Sequence, residues 1–322
     1  MPKFRSLIHV TATALLALTT VAGAQQYPTK PIRLIVPFPP GGSNDILSRA
    51  IATPLSMRLG KQVIVDNRGG AGAVLGTELV ATAPKDGYTL LMNSLTHAIN
   101  PWLYKLPFDP IKDFAPISMI ASGPDVLVVN PELQVKSVNE LIALAKAKPG
   151  QLQYASAGIG TFTHMGGELF KLAAGVNLLH VPFRGGGPAL IDVLGGHTKI
   201  MFSNLNAAMP HIRSGKLRAL GVGGTARSSQ LPDVPTIAEA GVPGYEANNW
   251  WGVLAPAGTP AAIVERLHGE IDVVQSSPDL QKHIAAEGAE VVRMSSAEFG
   301  DFLVKEMKKW ERVVKEGHIR AE

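Results

Sequence analysis

Short apolar or β-branched runs, each followed by a glycine- or hydroxyl-rich loop and then a helical pattern, recur along this chain. That alternation restricts it to an α/β fold built on a parallel sheet. Ile32–Pro37 leads into Pro39-Pro40-Gly41-Gly42-Ser43 and a helix predicted from about Asp45 to Leu59. Gln62–Val65 reads as a strand, Asn67–Gly72 as a glycine loop opening a helix to about Ala83, and Tyr88–Met92 as the next strand. Pro54 lies inside the first helix, where its missing amide predicts a bend or break near Ile51–Pro54.

The middle of the chain repeats the theme. Val126–Val129 reads as a strand, and Ser137-Val138-Asn139-Glu140 as a capping box starting a helix that ends at Lys148-Pro149-Gly150. Gln153–Ala155 runs into Gly158-Ile159-Gly160-Thr161 and a helix. Leu178–Val181 runs into Arg184-Gly185-Gly186-Gly187-Pro188 and another. Ile200–Phe202 precedes Ser203-Asn204, and Leu217–Val222 is a further strand. Towards the C-terminus, Thr259-Pro260, Ser277-Pro278-Asp279 and Ser295-Ser296-Ala297-Glu298 are helix-start signals. Phe299, Phe302, Leu303, Met307 and Trp310 then recur at helical spacing and read as a core face.

With 322 residues, the chain is long enough for two lobes, each with its own core. Apolar residues make up 46% and charged residues 17%, which excludes a disordered chain. Lys3 and Arg5, an apolar stretch from Thr13 to Val21 and the small residues Ala22-Gly23-Ala24 read as a signal peptide over residues 1–24, cleaved near Ala24. The apolar stretch is shorter than the roughly 20 residues that span a bilayer, which weighs against the rival reading of an uncleaved anchor. There is no cysteine, so no disulfide can form and no lipid can be attached through a thiol. Removing Lys3 and Arg5 lowers the formal net charge from +4 to +2. The basic residues are scattered, and the densest pair, Lys308-Lys309, is flanked by Glu306 and Glu311, so no nucleic-acid partner is expected.

Four loops carry the chemistry: Pro39–Asp45, Ser94–His97, Ser156–His164 and Arg184–Pro188. Each follows a strand and opens a helix, where free backbone amides and a partial positive charge suit an anion. The candidate ligand-binding residues in them are Pro40, Gly41, Gly42, Ser43, Ser94, His97, Ser156, Gly158, Gly160, Thr161, His164, Arg184 and Gly185, joined by Ser203 and Asn204 after a later strand. Asp45 and Arg49, four apart, read as an intrahelical pair. Arg184 is open to two roles, touching the anion or facing solvent.

Catalytic and cofactor patterns are weak. There is no Gly-x-Ser-x-Gly elbow and no Gly-x-x-x-x-Gly-Lys-Ser/Thr loop. Gly221-Val222-Gly223-Gly224-Thr225-Ala226 loosely imitates a dinucleotide fingerprint, but Glu239 and Glu246 lie in turn-like sequence rather than where a ribose partner belongs. Histidine pairs at metal spacing are absent, and no spacing supports a Ser156/His164/Asp192 triad. The expectation is a binding protein without metal, cofactor or catalytic residue.

At these loops the chain resembles a known family. Tyr27-Pro28-Thr29-Lys30-Pro31-Ile32-Arg33-Leu34-Ile35-Val36-Pro37-Phe38, then Pro40-Gly41-Gly42 and Asp45, open the match. It continues through Ala83-Pro84-Lys85-Asp86-Gly87-Tyr88-Thr89-Leu90, His97-Ala98-Ile99-Asn100-Pro101 and Tyr154-Ala155-Ser156-Ala157-Gly158. His180-Val181-Pro182-Phe183-Arg184-Gly185, Leu231-Pro232-Asp233-Val234-Pro235-Thr236 and Leu254-Ala255-Pro256-Ala257-Gly258-Thr259-Pro260 extend it over the mature chain. These segments are similar to the Bug-type, TctC-like solute-binding proteins of tripartite tricarboxylate transporters.

The resemblance implies a two-lobed periplasmic binding protein fold, type II-like, with a ligand cleft between lobes and two crossover strands. Lobe one would combine residues 25–125 with 225–322, and lobe two would be residues 126–224. It implies a small mono- or dicarboxylate ligand taken up by hinge closure, held at Pro40, Gly41, Gly42, Ser94, His97, Ser156, Thr161, His164, Gly185 and Ser203. It also implies a soluble periplasmic monomer that delivers the ligand to a membrane permease. Ser203 stands where the family often has aspartate, which argues against an amino-acid ligand because a buried ammonium needs a partner. Arg184 stands where lysine is common, and its planar fork suits a bidentate carboxylate contact. A sensor that signals instead of transporting, and an enzyme on the same fold, are the alternatives.

Overall fold

The computed structural model describes residues 27–321, and the expected signal peptide lies outside them. The first run of chain is β1 (Ile32–Val36), α1 (Ser43–Leu59), β2 (Val63–Asn67), α2 (Val74–Ala81), β3 (Thr89–Ser94), α3 (Thr96–Leu103) and β4 (Phe114–Val129). The second is α4 (Val138–Ala147), β5 (Gln153–Ser156), α5 (Phe162–Ala174), β6 (Leu179–Pro182), α6 (Gly186–Leu194), β7 (Ile200–Asn204), α7 (Leu205–Arg213) and β8 (Arg218–Val222). The third is β9 (Asn248–Pro256), α8 (Ala261–Gln275), α9 (Pro278–Ala286), β10 (Glu290–Val291) and α10 (Ser296–Glu316).

The strands form two sheets that share β4. The first has the order β2-β1-β3-β9-β4, with β10 also on β4; the second continues β4-β7-β5-β6, with β8 also on β4. β1, β2 and β3 are mutually parallel, as are β5, β6 and β7, so their loops and helices leave from one edge of each sheet. Beside the expected parallel strands run antiparallel ones: β4 is antiparallel to β7, β8, β9 and β10, and β9 to β3. β4 pairs with β9 from Phe114 to Pro124 and with β7 from Asp125 to Val129. One strand therefore crosses from sheet to sheet, and the chain returns between Val222 and Asn248.

Strands covered on both faces need apolar residues on both, which explains the runs Leu34–Val36 of β1 and Leu90–Met92 of β3, while the exposed Arg33 pairs with Asp66. Ile32, Leu34 and Val36 pack under α1 and α8, whereas Ile35 joins a larger cluster on the opposite face. That larger cluster passes under both sheets, from Leu91 and Trp250 through Leu127 and Val129 to Tyr154 and Phe202. Val126 and Val128, pointing the other way, pack with Leu190, Val193 and Met209 of α6 and α7. α10 starts with a complete capping box between Ser295 and Glu298 and buries Phe299, Leu303 and Trp310, with Phe302 and Met307 half-buried beside them.

Two local readings change, and a third, the weak dinucleotide resemblance, is settled as absent. α1 is unbroken from Ser43 to Leu59 despite Pro54, because Leu47, Ile51, Leu55 and Leu59 bury a continuous face that outweighs one missing hydrogen bond. Ser137 caps α4, but Glu140 reaches back to the amide of Lys136 rather than Ser137, so the box is shifted by one residue. The Gly221–Ala226 motif opens no helix, since the chain after β8 is irregular, and a dinucleotide turn is absent there.

Glycine positions separate close approach from mere tolerance. A Cβ at Gly76 in α2 would lie 2.5 Å from the Arg68 carbonyl oxygen and 2.8 Å from Pro37 Cα, both backbone. At Gly269, exposed in α8, it would meet nothing within 4 Å. Gly76→Ala should therefore cost about 1–3 kcal/mol by overpacking, while Gly269→Ala should gain about 0.5–1 kcal/mol of helix stability. Urea unfolding of the two variants checks the opposite signs.

Candidate functional site

The parallel strands of the first sheet end in three turns that face the second. Pro37, Phe38 and Pro39 follow β1, Gly70–Ala73 follows β2, and Thr96 and Asn100 lie on α3 just after β3. Opposite them, Ile159, Gly160 and Thr161 follow β5. These segments, with Tyr104, enclose a cavity of about 220 Å³ between the two sheets. No Lys, Arg, His, Asp or Glu side chain lines it among the described residues.

What the cavity offers is neutral. Helices α4, α5, α9 and α10 carry side-chain caps from Ser137, Thr161, Ser277 and Ser295. Helices α1, α2, α3, α6, α7 and α8 carry none. First-turn amides have no intrahelical acceptor, so the uncapped ends keep donors free for a ligand. All of these helices except α8 leave from the loop edge of the parallel strands β1, β2, β3, β6 and β7.

The turn before α2 is unusual. Ala71, Gly72 and Ala73 have φ of 47°, 62° and 77°, three successive left-handed residues, two of them not glycine. Left-handed alanine costs about 1–2 kcal/mol, and strain held in a turn beside a cavity points to a functional geometry. Successive turn amides of this kind form a concavity suited to an anion. Asn100 Nδ2 donates to the Gly72 carbonyl at 2.7 Å and fixes the turn. Tyr104 packs against it, so close that a Cβ on Gly72 would come 3.0 Å from the Tyr104 hydroxyl oxygen.

Gly160 and Thr161 line this cavity, while Pro40–Ser43 continue from its Pro37–Pro39 wall into α1. Gly41 donates its amide to Asp45 Oδ2 at 2.9 Å, and Gly42 caps α1 with its backbone alone. Ser94 Oγ lies 3.4 Å from Asn44 Nδ2, bringing the end of β3 to the start of α1. Ser43 Oγ donates to Glu287 Oε2 at 2.5 Å, and Asn206 of α7 reaches the same oxygen at 3.2 Å. Gly185 donates to the Ala157 carbonyl at 3.1 Å, which places the α6 turn beside the β5–α5 loop. Asn204 is exposed at the start of α7, Ser203 is buried with its hydroxyl on the Asn204 carbonyl, and the Arg184 side chain is exposed. Asp45 and Arg49 form the expected pair at 2.9 Å. Burial pushes the Asp45 carboxyl up, but bonds from Arg49, Gly41 and Asn67 outweigh it and hold it below its ordinary range.

The histidines lie behind the cavity wall. His97 has Nε2 2.8 Å from the Pro110 carbonyl and Nδ1 3.2 Å from Asn93 Nδ2, so both ring nitrogens are engaged internally. His164 Nδ1 accepts the Gly160 amide at 3.1 Å, and its ring stacks on His180 at 3.9 Å. His180 Nε2 sits 2.6 Å from Ser156 Oγ, which in turn accepts the Gly158 amide at 3.1 Å. Ser156, Gly158 and His164 thus shape the loop that presents Gly160 and Thr161. Burial lowers His97 and His164 to about 4 and, together with the neighbouring His164, lowers His180 to about 3, leaving all three rings neutral at neutral pH.

Sequence reasoning missed Gly70–Ala73, Asn100 and Tyr104 as site residues, although it located the Asn67–Gly72 loop. It also missed Asn44, whose Oδ1 is buried without a protein partner at the start of α1. The signal available was the glycine run after β2, of the same kind as the loops that were selected.

Comparison with known proteins gives this geometry its setting. The chain is 41% identical to the protein BugT of Bordetella pertussis over 91% of each chain. It superposes on an R. palustris protein solved with adipate with a TM-score of 0.80, 36% identity, and coverage of 92% of this chain and 100% of that one. MatC from Rhodopseudomonas palustris, solved with bound malate, matches with a TM-score of 0.77 and 31% identity over 89% of this chain and all of that one. The class is an α/β periplasmic binding protein, two sheets with a cleft between them. Residues 47–319 match the tripartite tricarboxylate transporter family receptor profile, and the chain belongs to that family. Among the described residues, no helix is long and apolar enough to cross a membrane.

The neutral histidines have a measurable consequence. A buried histidine with a lowered pKa must be charged on unfolding in acid, so each contributes stability above about pH 6.5 that is lost as pH falls towards its folded value near 4 or 3. Unfolding midpoints should drop steeply from about pH 6.5 to about pH 4.5. His97→Gln, which keeps a donor for Pro110, should cost about 1 kcal/mol at neutral pH and flatten that acid slope. Urea titrations across this pH range provide the comparison.

Proposed function

We propose that this protein is an extracytoplasmic receptor that captures a small carboxylate and hands it to a tripartite tricarboxylate transporter permease. Two lobes, residues 25–125 with 225–322 and residues 126–224, close on the ligand by a hinge in the crossing segments. The observation that carries this reading is a cavity lined at the uncapped starts of α2 and α3, with no charged side chain in its lining. An anion there is held by many neutral donors in a desolvated space, an arrangement that binds charge without a buried counter-ion. The solved relatives carrying adipate and malate support the ligand class. The protein acts as a monomer in the periplasm and does no chemistry on its cargo.

The wall chemistry narrows the choice of acid. Pro37, Phe38, Pro39, Ala73 and Ile159 give apolar sides, and no carboxylate stands ready for an ammonium. A ligand with charged ends and an unsubstituted stem fits these walls. An amino acid would leave its ammonium unpaired.

Thermal-shift and calorimetric titration with adipate, malate and aspartate tests this. A ligand at about 100 times its Kd adds about 2.7 kcal/mol to stability, so adipate should raise the melting temperature clearly and aspartate should not. Tighter binding of aspartate than of both other acids overturns the selectivity. Gly72→Ala places a side chain at φ 62° against Tyr104 and should weaken adipate by at least about tenfold, or 1.4 kcal/mol. Unchanged affinity in that variant removes the Gly70–Ala73 turn from the site.

A further inference from the structure

Asp125 sits where β4 exchanges one sheet for the other, fully buried. No Lys, Arg or His side chain pairs with its carboxyl among the described residues, and Oδ1 has no hydrogen-bond partner. Three stretches of chain close around it. A Cβ on Gly223, in the returning segment, would overlap Oδ1, and a Cβ on Gly166, in α5, would overlap Oδ2. Two glycines are what admit an acid here. The Asp125 amide donates to the Ala247 carbonyl at 3.3 Å, and its carbonyl accepts from the Gly223 amide at 2.9 Å, so both passages between the sheets meet at this residue.

The hydrogens decide its charge. Tyr245 Oη lies 2.9 Å from Asp125 Oδ2 and 3.1 Å from the Gly166 carbonyl oxygen. One phenolic hydrogen cannot serve both acceptors fully. With a proton on Oδ2 both contacts are made: the acid donates to Tyr245, and Tyr245 donates to Gly166. Ionised, the carboxylate takes the phenolic hydrogen, and Oδ1 becomes an unpartnered charge in the interior, the costliest state for a buried group.

We propose that Asp125 is a proton-dependent positioning residue for the ligand cleft: as the neutral acid it fastens α5 to the segments crossing between the sheets, and its ionisation loosens that fastening. The cleft is affected because α5 begins beside Gly160 and Thr161, which line the cavity. Burial, the largest influence, pushes the carboxyl up to about 7, against the opposing effects of the Tyr245 hydroxyl and its own amide. Burial and the neighbouring Asp125 push the Tyr245 hydroxyl well above its ordinary value, so it remains a neutral donor.

The other ionisable groups packed around the site are already committed. From β5, Tyr154 donates to Glu168 of α5, and Lys171 binds both Glu168 oxygens at 2.9 Å. His164 of α5 is neutral, and Glu246, next to Tyr245, accepts from Asn248. β7 carries no ionisable residue, and Arg218 of β8 is bonded to the Val135 carbonyl. For an acid whose folded pKa is raised, stability is highest in the acid range and is lost as pH rises through the folded value. The second wall of the cleft is therefore held most firmly below about pH 7.

The test uses the purified protein with carbon-13-labelled aspartate carboxyls, titrated by NMR from about pH 5 to about pH 9. Amide exchange in Gly160–Phe170 and Gly221–Gly224 is followed in parallel and corrected for its intrinsic pH dependence. One aspartate signal, missing from Asp125→Asn, should titrate near neutrality. Protection of both segments should fall about tenfold at the same midpoint in the wild type and stay level in the variant. Aspartates all ionised at the acid end, or a neutral titration that leaves exchange unchanged, overturns the proposal. Should Asp125→Asn fail to fold, the coincidence or separation of the two wild-type midpoints decides. None of these readouts requires a ligand, so they stand apart from the assignment of the cleft to carboxylates.

Discussion

The structure depends on one strand being shared by two sheets. β4 is 16 residues long and donates its edges to β9 and β10 on one side of Pro124, and to β7 and β8 on the other. Every peptide group in it is buried or nearly so, and each must find a partner in whichever sheet it has reached. The register shifts near Pro116 and Met119 let the strand keep pairing while it bends. Because the largest apolar cluster passes beneath both sheets, the two halves cannot separate by sliding. The halves are confined at the crossing as well, where Asp125 is fully buried and Gly166 and Gly223 leave no room for a Cβ beside its carboxyl.

That confinement organises the electrostatics. Parallel strands on either side of β4 send their helices out from one edge, so the uncapped ends of α1, α2, α3, α6 and α7 belong to the loop edges of the two sheets. A fixed positive side chain in the cleft would bind anions too, but it would repel its neighbours when empty and demand desolvation when filled. Backbone dipoles avoid both costs. The same economy appears behind the wall, where His97, His164 and His180 serve as neutral hydrogen-bonding rings rather than cations. Among the described residues, no charged side chain lines the cavity, and pairs such as Asp45–Arg49 lie outside its lining.

How much of this could be read from sequence follows from what each element needs. β1 and β3 were legible through their apolar runs Leu34–Val36 and Leu90–Met92, and α10 because its capping box and helical spacing are local signals. The first two-thirds of β4 was not legible: Phe114–Pro124 contains two prolines, a glycine and two serines, and its pairing is set by partners more than 120 residues away. Pro54 predicted a break that burial of α1 overrides. His97 and His164 drew attention as donors to a ligand, and no local signal distinguishes such a ring from one whose nitrogens are satisfied by Pro110, Asn93 or Gly160. The Gly70–Ala73 turn was seen as a loop but not as a site, because the conformation that matters belongs partly to alanines.

The remaining gap is physical. When an anion is held by backbone amides, the donors are the same whatever the residue, so charge recognition leaves almost no mark on composition. Discrimination among acids then falls to the side chains that shape the space between the donors; in the cavity proposed as the site, Phe38, Tyr104 and Ile159 are such side chains. Those residues come from three stretches brought together only by the fold, one of them on the opposite side of the crossing strand. A small change in the angle between the sheets alters that space without altering any donor. Specificity in such a receptor is therefore a property of how the halves are held relative to each other. That is why a buried acid at the crossing, outside the cavity lining, bears on what the cleft can hold.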